Sequence, residues 1–260
     1  MPYNALMTSK HLPHLALGIG ILILGLKLGA YGLTGSVAIL SDALESVVNV
    51  IAALAVIIAI RVAARPADAN HPFGHSKVEY LSAVIEGTLI VLTAILIVQQ
   101  AWLKFWQPSA LEGFGAAALL ALFATACNAV LARLLVQAGR REQSPALLAD
   151  GLHLWTDVIT TLGVLLGVGL AKLTSWWWLD PLLALAVAAN ILWMGVRLLR
   201  ESFGGLLDES LAQTELKMLE ENIGKAMSSA LEVHDLRTRR AGRQTFVTFH
   251  LVVPGMMPVS

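Results

Sequence analysis

Six long apolar stretches dominate the chain, and each is long enough to cross the roughly 30 Å hydrocarbon core of a membrane as an α-helix. They lie at about 13–32, 36–62, 77–104, 112–139, 145–172 and 179–201. A backbone in hydrocarbon must satisfy its own hydrogen bonds, so stretches of this length are restricted to spanning helices. The sequence therefore predicts an all-α membrane domain of six transmembrane helices in a lipid bilayer.

The composition supports this prediction. Of the 260 residues 57% are hydrophobic and 14% are charged, and the mean hydropathy is +0.70, which lies outside the range of soluble domains. The formal net charge is zero, so no basic field points to nucleic acid as a partner. The single cysteine, Cys127, leaves no partner for an intrachain disulfide and no cysteine cluster for zinc.

Basic residues collect in alternate connections between the apolar stretches. They lie in the second and fourth connections and near the end of the sixth stretch, at Arg61, Arg65, Lys77, Arg133, Arg140, Arg141, Arg197 and Arg200. The positive-inside rule places that side in the cytoplasm. We therefore expect a multi-pass protein of a bacterial inner or plasma membrane, with the N and C termini in the cytoplasm.

One polar pattern occurs twice inside the apolar stretches, at 41–51 and again at 149–159. The equivalent polar positions are Asp42, Glu45 and Asn49 in the first copy, and Asp150, His153 and Asp157 in the second. Halves of three spans each would insert upside down relative to one another, as in transporters with inverted repeats. The pattern favours an inverted 3+3 repeat over chance similarity between apolar helices, and the two polar segments would then meet near the midplane.

Two pairs of these residues have the i, i+4 spacing that places side chains on one helix face: Glu45 with Asn49, and His153 with Asp157. Two carboxylates, an amide oxygen and an imidazole suit a four-coordinate divalent cation such as zinc. The same ligands also suit manganese or iron(II). Ionisable groups in a span are costly and usually mark a site or an ion path. The alternative is a buried polar cluster that only locks two helices together.

The remaining intramembrane ionisable residues have less defined roles. Asp42 and Asp150 lie about one turn before the two pairs, and they either support the site or only make helix contacts. We expect Glu86 to pair with a basic or hydroxyl group, and Lys27 to extend toward the outer membrane interface. Protons would compensate the charge of the site when a metal leaves it, so metal/proton exchange is the hypothesis.

The connection after the second stretch contains a second candidate metal site. Its sequence from Arg65 to Lys77 is RPADANHPFGHSK, in which prolines and a glycine prevent one regular helix. Asp68, His71 and His75 have the residue types and the close spacing of a three-ligand site that water completes. The alternative is a solvated surface loop, which the spacing alone does not exclude.

Several of these segments resemble the cation diffusion facilitator family of divalent metal/proton antiporters. The resemblance rests on SDALESVVN in the second stretch, PADANHPFGHSK in the loop, HLWTD in the fifth stretch, LLD at 206–208 and HDLRTR at 234–239. It extends over essentially the whole chain. It implies a transport site at Glu45, Asn49, His153 and Asp157, and a second metal site at Asp68, His71 and His75.

The same resemblance implies a mode of action. Members of the family work as homodimers that alternate between inward and outward openings and export metal from the cytoplasm in exchange for protons. Lys77 and Asp208 resemble a charge pair near the junction of membrane and cytosol. Many members carry Asp or His at position 45 and Asp at position 49, so Glu45 and Asn49 depart from the pattern, and Asn49 removes one negative charge.

From about residue 206 the sequence becomes polar. Its pattern predicts a helix at 214–227 and strands near 231–239 and at 244–253. This is similar to the opening of the family's cytoplasmic α+β (ferredoxin-like) domain. We therefore expect a six-helix transport domain at 1–205 and a truncated α-β-β domain at 206–260. His234 and His250 match positions where the family can bind cytoplasmic metal, although ordinary surface histidines explain them equally well.

The sequence thus predicts a secondary transporter and not an enzyme. It would export divalent transition-metal cations in exchange for protons, with zinc expected first and iron(II), manganese, cobalt and cadmium as further substrates, and it would need no organic cofactor. A membrane metalloenzyme would also bury histidines and carboxylates, but the chain has no His-Glu-x-x-His segment and no serine nucleophile motif. A non-transporting metal sensor, or an assembly partner for a full-length relative, is the other alternative.

Overall fold

The computed structural model describes residues 11–34, 37–106, 116–174, 176, 178–227 and 231–256. Within these ranges, six long helices precede a short helix and a two-stranded sheet. The elements are α1 (Leu12–Thr34), α2 (Val37–Ala63), α3 (Val78–Trp106), α4 (Ala116–Glu142), α5 (Pro145–Thr174), α6 (Leu179–Leu206), α7 (Gln213–Ala226), β1 (Glu232–Ala241) and β2 (Gln244–Val252).

Five of the described helices have the length and apolarity to cross a membrane. Their apolar segments are Leu12–Gly29, Ser46–Ala63, Val78–Leu103, Ala121–Glu142 and Pro181–Leu206. α5 has 30 residues, more than the ~20 that a spanning helix needs, and it carries the second polar segment. Large apolar side chains such as those of Ile51 and Trp193 lie exposed on helix surfaces, where lipid would cover them. These helices form the transmembrane domain.

The sixth helix continues five residues beyond the apolar stretch that predicted it. The sixth apolar stretch lies at about 179–201, and α6 extends from Leu179 to Leu206. Arg197 and Glu201 form an ion pair of 2.8 Å at i, i+4 spacing, so these charges are compatible with a continuous helix. The predicted start of the fourth helix, residue 112, lies outside the described residues.

The long helices pack mainly in pairs: α1 with α2, α3 with α6, and α4 with α5. One buried apolar cluster joins α1, α2, α4 and α5 around Val56, Leu135 and Leu147. A second cluster joins α3, α5 and α6 around Ile90 and Ile191. α5 belongs to both clusters, so the helix that carries the second polar segment lies at the centre of the domain.

A short turn fixes the start of α5 against the end of α4. Gln143 has a positive φ of 55°, and the Ser144 N–H donates to the Gly139 carbonyl oxygen at 2.9 Å. The Ser144 hydroxyl accepts a hydrogen bond of 3.4 Å from the Leu147 N–H, which caps α5. Gly139 has no room for a side chain, because an added Cβ would lie 2.6 Å from the Leu148 nitrogen.

The C-terminal segment forms α7 and a β-hairpin, as predicted, with each element within two residues of its predicted position. β1 and β2 pair antiparallel, and His234 lies opposite His250. A bulge follows His234, where Asp235 has a φ of 54°. The hydroxyls of Ser210 and Thr238 lie 2.8 Å apart, which holds β1 close to the end of α6.

The turn of the β-hairpin docks on the ends of α3 and α4. Gly242 has a positive φ of 57°, and a Cβ there would lie 2.8 Å from the Ser76 carbonyl oxygen. Arg243 Nε lies 3.1 Å from Glu79 Oε1, and Arg243 Nη1 lies 2.7 Å from Glu142 Oε2. Glu79 is buried, and its second oxygen accepts a hydrogen bond from the Ser144 hydroxyl. One arginine therefore links the hairpin to two helices of the membrane domain.

Candidate metal centres

Asn49 of α2 lies between His153 and Asp157 of α5. Its amide nitrogen donates to Asp157 Oδ2 at 2.7 Å, and its amide oxygen lies 3.0 Å from His153 Nε2. An amide oxygen only accepts hydrogen bonds, so His153 carries a proton on Nε2 in this arrangement. A single amide thus joins an imidazole to a carboxylate across two helices.

This cluster lies inside the helix bundle. His153 is only 4% exposed, and Asn49 and Asp157 are half-buried. Asn49 and Asp157 are 108 residues apart and hold equivalent positions in the two polar segments. Contact between equivalent positions is the arrangement expected where two inverted repeats meet at the midplane. The structure therefore brings these three predicted site residues together.

The fourth predicted ligand, Glu45, lies on α2 one turn before Asn49. Its side chain and that of Asp42 are outside the described part of the structure. Residues four apart share a helix face, so the α2 backbone places Glu45 on the side that carries Asn49. The roles of Glu45 and Asp42 stay predictions.

A cavity of about 250 Å³ adjoins the cluster between α1, α2, α4 and α5. Its polar lining residues include Lys27, Ser46, Asn49, Asn128, Asp150 and Asp157. The cavity has space for several water molecules. The sequence analysis did not identify Asn128. A site is predicted from the spacing between polar residues, and Asn128 is an isolated amide in an apolar helix.

Lys27 is 8% exposed and donates a hydrogen bond of 2.8 Å to Ser46 Oγ. The prediction that this side chain extends to the outer interface is wrong. The cavity and the Ser46 hydroxyl offer the ammonium group polar contacts inside the protein, which a lysine at a membrane interface obtains from water. The sequence did not reveal this position, because the apolar residues around Lys27 do not define which face of α1 turns toward α2.

Two further acids are buried near the cluster. Asp150 is 3% exposed and lines the cavity. Glu86 of α3 is 1% exposed and interacts electrostatically with Asp150 and Asp157. Among the described residues, no hydrogen-bond partner contacts either carboxylate oxygen of Glu86 or Asp150 Oδ2. The predicted basic or hydroxyl partner of Glu86 is therefore not found in this part of the chain.

Asp68, His71 and His75 form a compact cluster in the loop between α2 and α3. Asp68 Oδ1 lies 3.1 Å from His71 Nδ1, and Asp68 Oδ2 lies 3.4 Å from His75 Nε2. One ligand atom of each residue lies within 4.8 Å of the other two. Within the ranges that the structure describes, no other group of three His, Cys, Asp or Glu residues meets this distance. The spacing suits one divalent ion with three protein ligands.

The loop backbone orders this cluster. Asp68 Oδ1 accepts hydrogen bonds from the backbone N–H groups of Asn70 at 2.9 Å and His71 at 2.7 Å. The pKa of Asp68 lies below its usual range, mainly because its carboxylate accepts the hydrogen bond from the His71 N–H. Asp68 is therefore a carboxylate at neutral pH, which is the form that binds a metal.

Lys77 and Asp208 lie in contact where the membrane helices meet the hairpin. Lys77 Nζ is 2.9 Å from Asp208 Oδ1, and Arg239 Nη1 is 3.0 Å from the same oxygen. Lys77 also donates to the Leu206 carbonyl oxygen at 3.1 Å. The pKa of Asp208 is lowered, chiefly by the hydrogen bond from Lys77. Asp208 thus joins the start of α3, the end of α6 and β1.

His234 and His250 face each other across the hairpin, with ring centroids 5.4 Å apart. His234 Nδ1 lies 3.3 Å from Glu232 Oε1, and His250 Nε2 lies 4.0 Å from Asp235 Oδ2. Both imidazoles are exposed. Their role as ligands of a cytoplasmic metal stays a prediction.

Comparison with known proteins agrees with this arrangement. Residues 14–207 match the family model of the cation efflux transmembrane domain. The chain belongs to the cation diffusion facilitator family. Residues 212–260 match the cytoplasmic domain of cation efflux proteins. The resemblance drawn from the motifs is confirmed, and the protein is a multi-pass membrane protein of a transporter family.

Two relatives show how far this similarity extends. An uncharacterized transporter of Synechocystis sp. is 45% identical over 241 residues, which cover 93% of this chain and 78% of the relative. The cation-efflux pump FieF of Escherichia coli is 31% identical over 244 residues, which cover 94% of this chain and 81% of the relative.

Proposed function

We propose that this chain is a secondary transporter that exports divalent transition-metal cations from the cytoplasm in exchange for protons by alternating access. The observation that carries the proposal is the cluster of Asn49, His153 and Asp157, which joins α2 to α5 inside the bundle. Zinc is the first expected substrate, and iron(II), manganese, cobalt and cadmium share its ligand chemistry. The relative named cation-efflux pump FieF supports the direction of export.

Competition at single atoms supports the exchange of metal for protons. A metal that binds His153 Nε2 must replace the proton on that atom. A metal that binds Asp157 Oδ2 must replace the N–H of Asn49. Glu45, one turn away on α2, would supply the second carboxylate that balances a divalent charge. In the metal-free site an imidazolium at His153, or a carboxylic acid at one of the two carboxylates, would hold the proton that metal entry releases and that metal departure takes up again.

The loop cluster is a second metal position in this proposal. Asp68 and His71 are exposed, whereas His75 is largely covered, so an ion could reach the three ligands from solvent. The ordered Asp68 carboxylate would bind the ion before or beside the intramembrane site. Asp42 and Asp150 would support transport next to the four intramembrane ligands.

We further propose the orientation and assembly of the protein. Basic residues between α2 and α3 and at the end of α4 support a cytoplasmic position for these two loops and for both termini, in a bacterial inner or plasma membrane. The match of residues 212–260 to a cytoplasmic domain supports this orientation of the C-terminal segment. The family resemblance supports a homodimer, in which Lys77 and Asp208 would hold the junction between the membrane helices and the hairpin.

Uptake into inverted membrane vesicles tests the proposed function. Zinc, iron(II), manganese, cobalt and cadmium would be offered with and without an imposed pH gradient. We expect zinc uptake that follows the gradient and that falls by about tenfold or more in His153→Ala and Asp157→Ala, because each removes a ligand. Asn190→Ala, an exposed amide in α6, is the matched control and should transport normally.

Two outcomes would contradict the proposal. Uptake that does not change with the pH gradient would exclude proton exchange. Zinc binding that depends on His153 and Asp157 but gives no uptake in any vesicle preparation would identify a non-transporting metal sensor.

A further inference from the structure

The ammonium group of Lys27 shares a cavity with the groups assigned to metal transport. Lys27 is 8% exposed in an apolar helix, and the same cavity is lined by Asn49, Asp150 and Asp157. A buried ammonium in a membrane span is costly and is usually retained for a site or an ion path. Helix association alone does not need a full charge, because a neutral polar side chain can form the same hydrogen bond.

Ser46 fixes where this charge lies. Lys27 Nζ donates to Ser46 Oγ at 2.8 Å, and Ser46 lies three residues before Asn49, on the same face of α2. α1 and α2 also lie close about one turn further along α2, where a Cβ on Gly20 would lie 3.4 Å from a methyl group of Val50. The ammonium is thus held on the side of α2 that carries the metal-binding amide.

We propose that Lys27 is a tethered cation that competes with the substrate metal. When the metal is absent, its single positive charge partly compensates the carboxylates of Asp150 and Asp157 that line the same cavity. When a divalent cation enters, the ammonium repels it across a medium of low dielectric constant. The proposal rests on the proposed function, because it assigns Lys27 a role at that transport site.

The consequence is that the transport site binds its metal with a lower affinity than its ligands alone would give. Several carboxylates and an imidazole inside a membrane protein would hold a divalent ion tightly and release it slowly. A fixed positive charge beside them weakens binding and favours release. Lys27 therefore contributes to turnover by limiting how long the site stays occupied.

The sign of the change in affinity tests the proposal. Zinc binding would be measured by calorimetry on the purified full chain in detergent, in a His71→Ala/His75→Ala background that removes the loop site. Lys27→Met should bind zinc about tenfold more tightly than the unchanged protein. Its uptake in proteoliposomes should be slower at saturating zinc, because release is slower.

Three variants separate charge from structure. Lys217→Met makes the same substitution on the exposed surface of α7 and should leave zinc affinity unchanged. Lys27→Arg keeps the positive charge and should not tighten binding. Lys27→Gln removes the charge but can still donate to Ser46, so it should tighten binding like Lys27→Met.

The outcomes are distinct from those that test transport itself. If His153→Ala and Asp157→Ala fail to weaken zinc binding, the proposed function fails. If they weaken it while folded Lys27→Met and Lys27→Gln bind zinc as the unchanged protein does, or less tightly, only the Lys27 proposal fails. If both of these variants fail to fold while Lys27→Arg folds, the ammonium is structural and the proposal is overturned.

Discussion

At the scale of single residues, Asn49 has a chemistry that aspartate cannot reproduce. Its amide nitrogen donates a hydrogen bond to Asp157 Oδ2, and its amide oxygen accepts one from His153 Nε2. One neutral side chain therefore forms a hydrogen bond with both the carboxylate and the imidazole. A carboxylate at position 49 would have no proton to donate to Asp157. The departure from the family pattern at this position therefore stabilises the arrangement of the site without a metal.

Asn49→Asp should destabilise the metal-free protein and increase its response to zinc. A second carboxylate beside Asp157 replaces a hydrogen bond by repulsion, which we expect to cost about 1–3 kcal/mol. Zinc would compensate this charge, so saturating zinc should restore most of the loss. Thermal unfolding in detergent with and without zinc measures both effects.

Asn49→Ala is the matched control for this prediction. It also loses both hydrogen bonds but adds no charge and removes one ligand, so zinc should restore less of its stability than in Asn49→Asp. An Asn49→Asp protein that unfolds at the same temperature as the unchanged protein without zinc would show that the amide has no such role.

At the scale of elements, the hairpin turn depends on a buried acid. Glu79 lies at the start of α3 and has two partners, the Arg243 guanidinium and the Ser144 hydroxyl. Arg243 also contacts Glu142 at the end of α4. Arg243 therefore binds the hairpin of β1 and β2 directly to α3 and α4, and Glu79 extends this contact to Ser144 at the start of α5.

Arg243→Ala should destabilise the protein by about 1–3 kcal/mol, because it leaves the buried Glu79 without its positive partner. Adding Glu79→Gln should recover part of the loss, since the double variant has no unpaired charge. Thermal unfolding and hydrogen exchange of the 232–252 backbone measure the change. Arg237→Ala, which removes an exposed arginine paired with Asp235, is the control and should have little effect.

A double variant no more stable than Arg243→Ala would contradict this explanation. It would show that the cost comes from the lost packing of the arginine and not from the unpaired acid.

At the scale of the whole molecule, charged contacts connect the hairpin to the helix bundle. Asp208 binds both Lys77 and Arg239, and Arg240 lies 2.9 Å from Glu215 of α7. An edge-to-face contact of Phe73 with Phe246, with centroids 5.7 Å apart, adds apolar contact. The helix bundle instead depends on buried apolar clusters. The two parts should therefore respond differently to salt and to pH.

The ionisation of Asp208 determines the pH range in which its contacts stabilise this junction between the hairpin and the helix bundle. Its pKa is lowered in the folded state, so its contribution to stability is present above the usual value of 3.8 and is lost as the pH falls through the lower folded value. Hydrogen-exchange protection at the junction should therefore be constant between about pH 8 and pH 5. Asp208→Asn should lower it at every pH in this range, by about 1 kcal/mol or less because the groups are partly exposed.

Salt provides the control for this prediction. Raising the ionic strength from about 0.1 M to about 1 M should weaken hairpin protection in the unchanged protein and have less effect in Asp208→Asn. A loss of protection between pH 8 and pH 6 in the unchanged protein would contradict the assignment to Asp208.

Spacing along the chain predicted much of the fold and part of the site. Apolar length predicted the long helices, and equal spacing of polar residues predicted that Asn49 meets Asp157. The positions of Lys27, Glu86 and Arg243 were not predictable in this way. They depend on how far each helix is rotated about its axis and on which surface the hairpin turn contacts, and a single polar residue in an apolar run carries no information on either.

The hydroxyl of Ser144 has a mechanical consequence for the site. It caps α5 and also donates to Glu79, which Arg243 of the hairpin contacts, so the first turn of α5 is held at a fixed point. His153 lies nine residues further along α5, about 13 Å from that point. A tilt of α5 by about 10° around Ser144 would therefore displace His153 by about 2 Å. That distance is enough to break its hydrogen bond to Asn49, so the hairpin holds the pivot of the helix that carries the ion site.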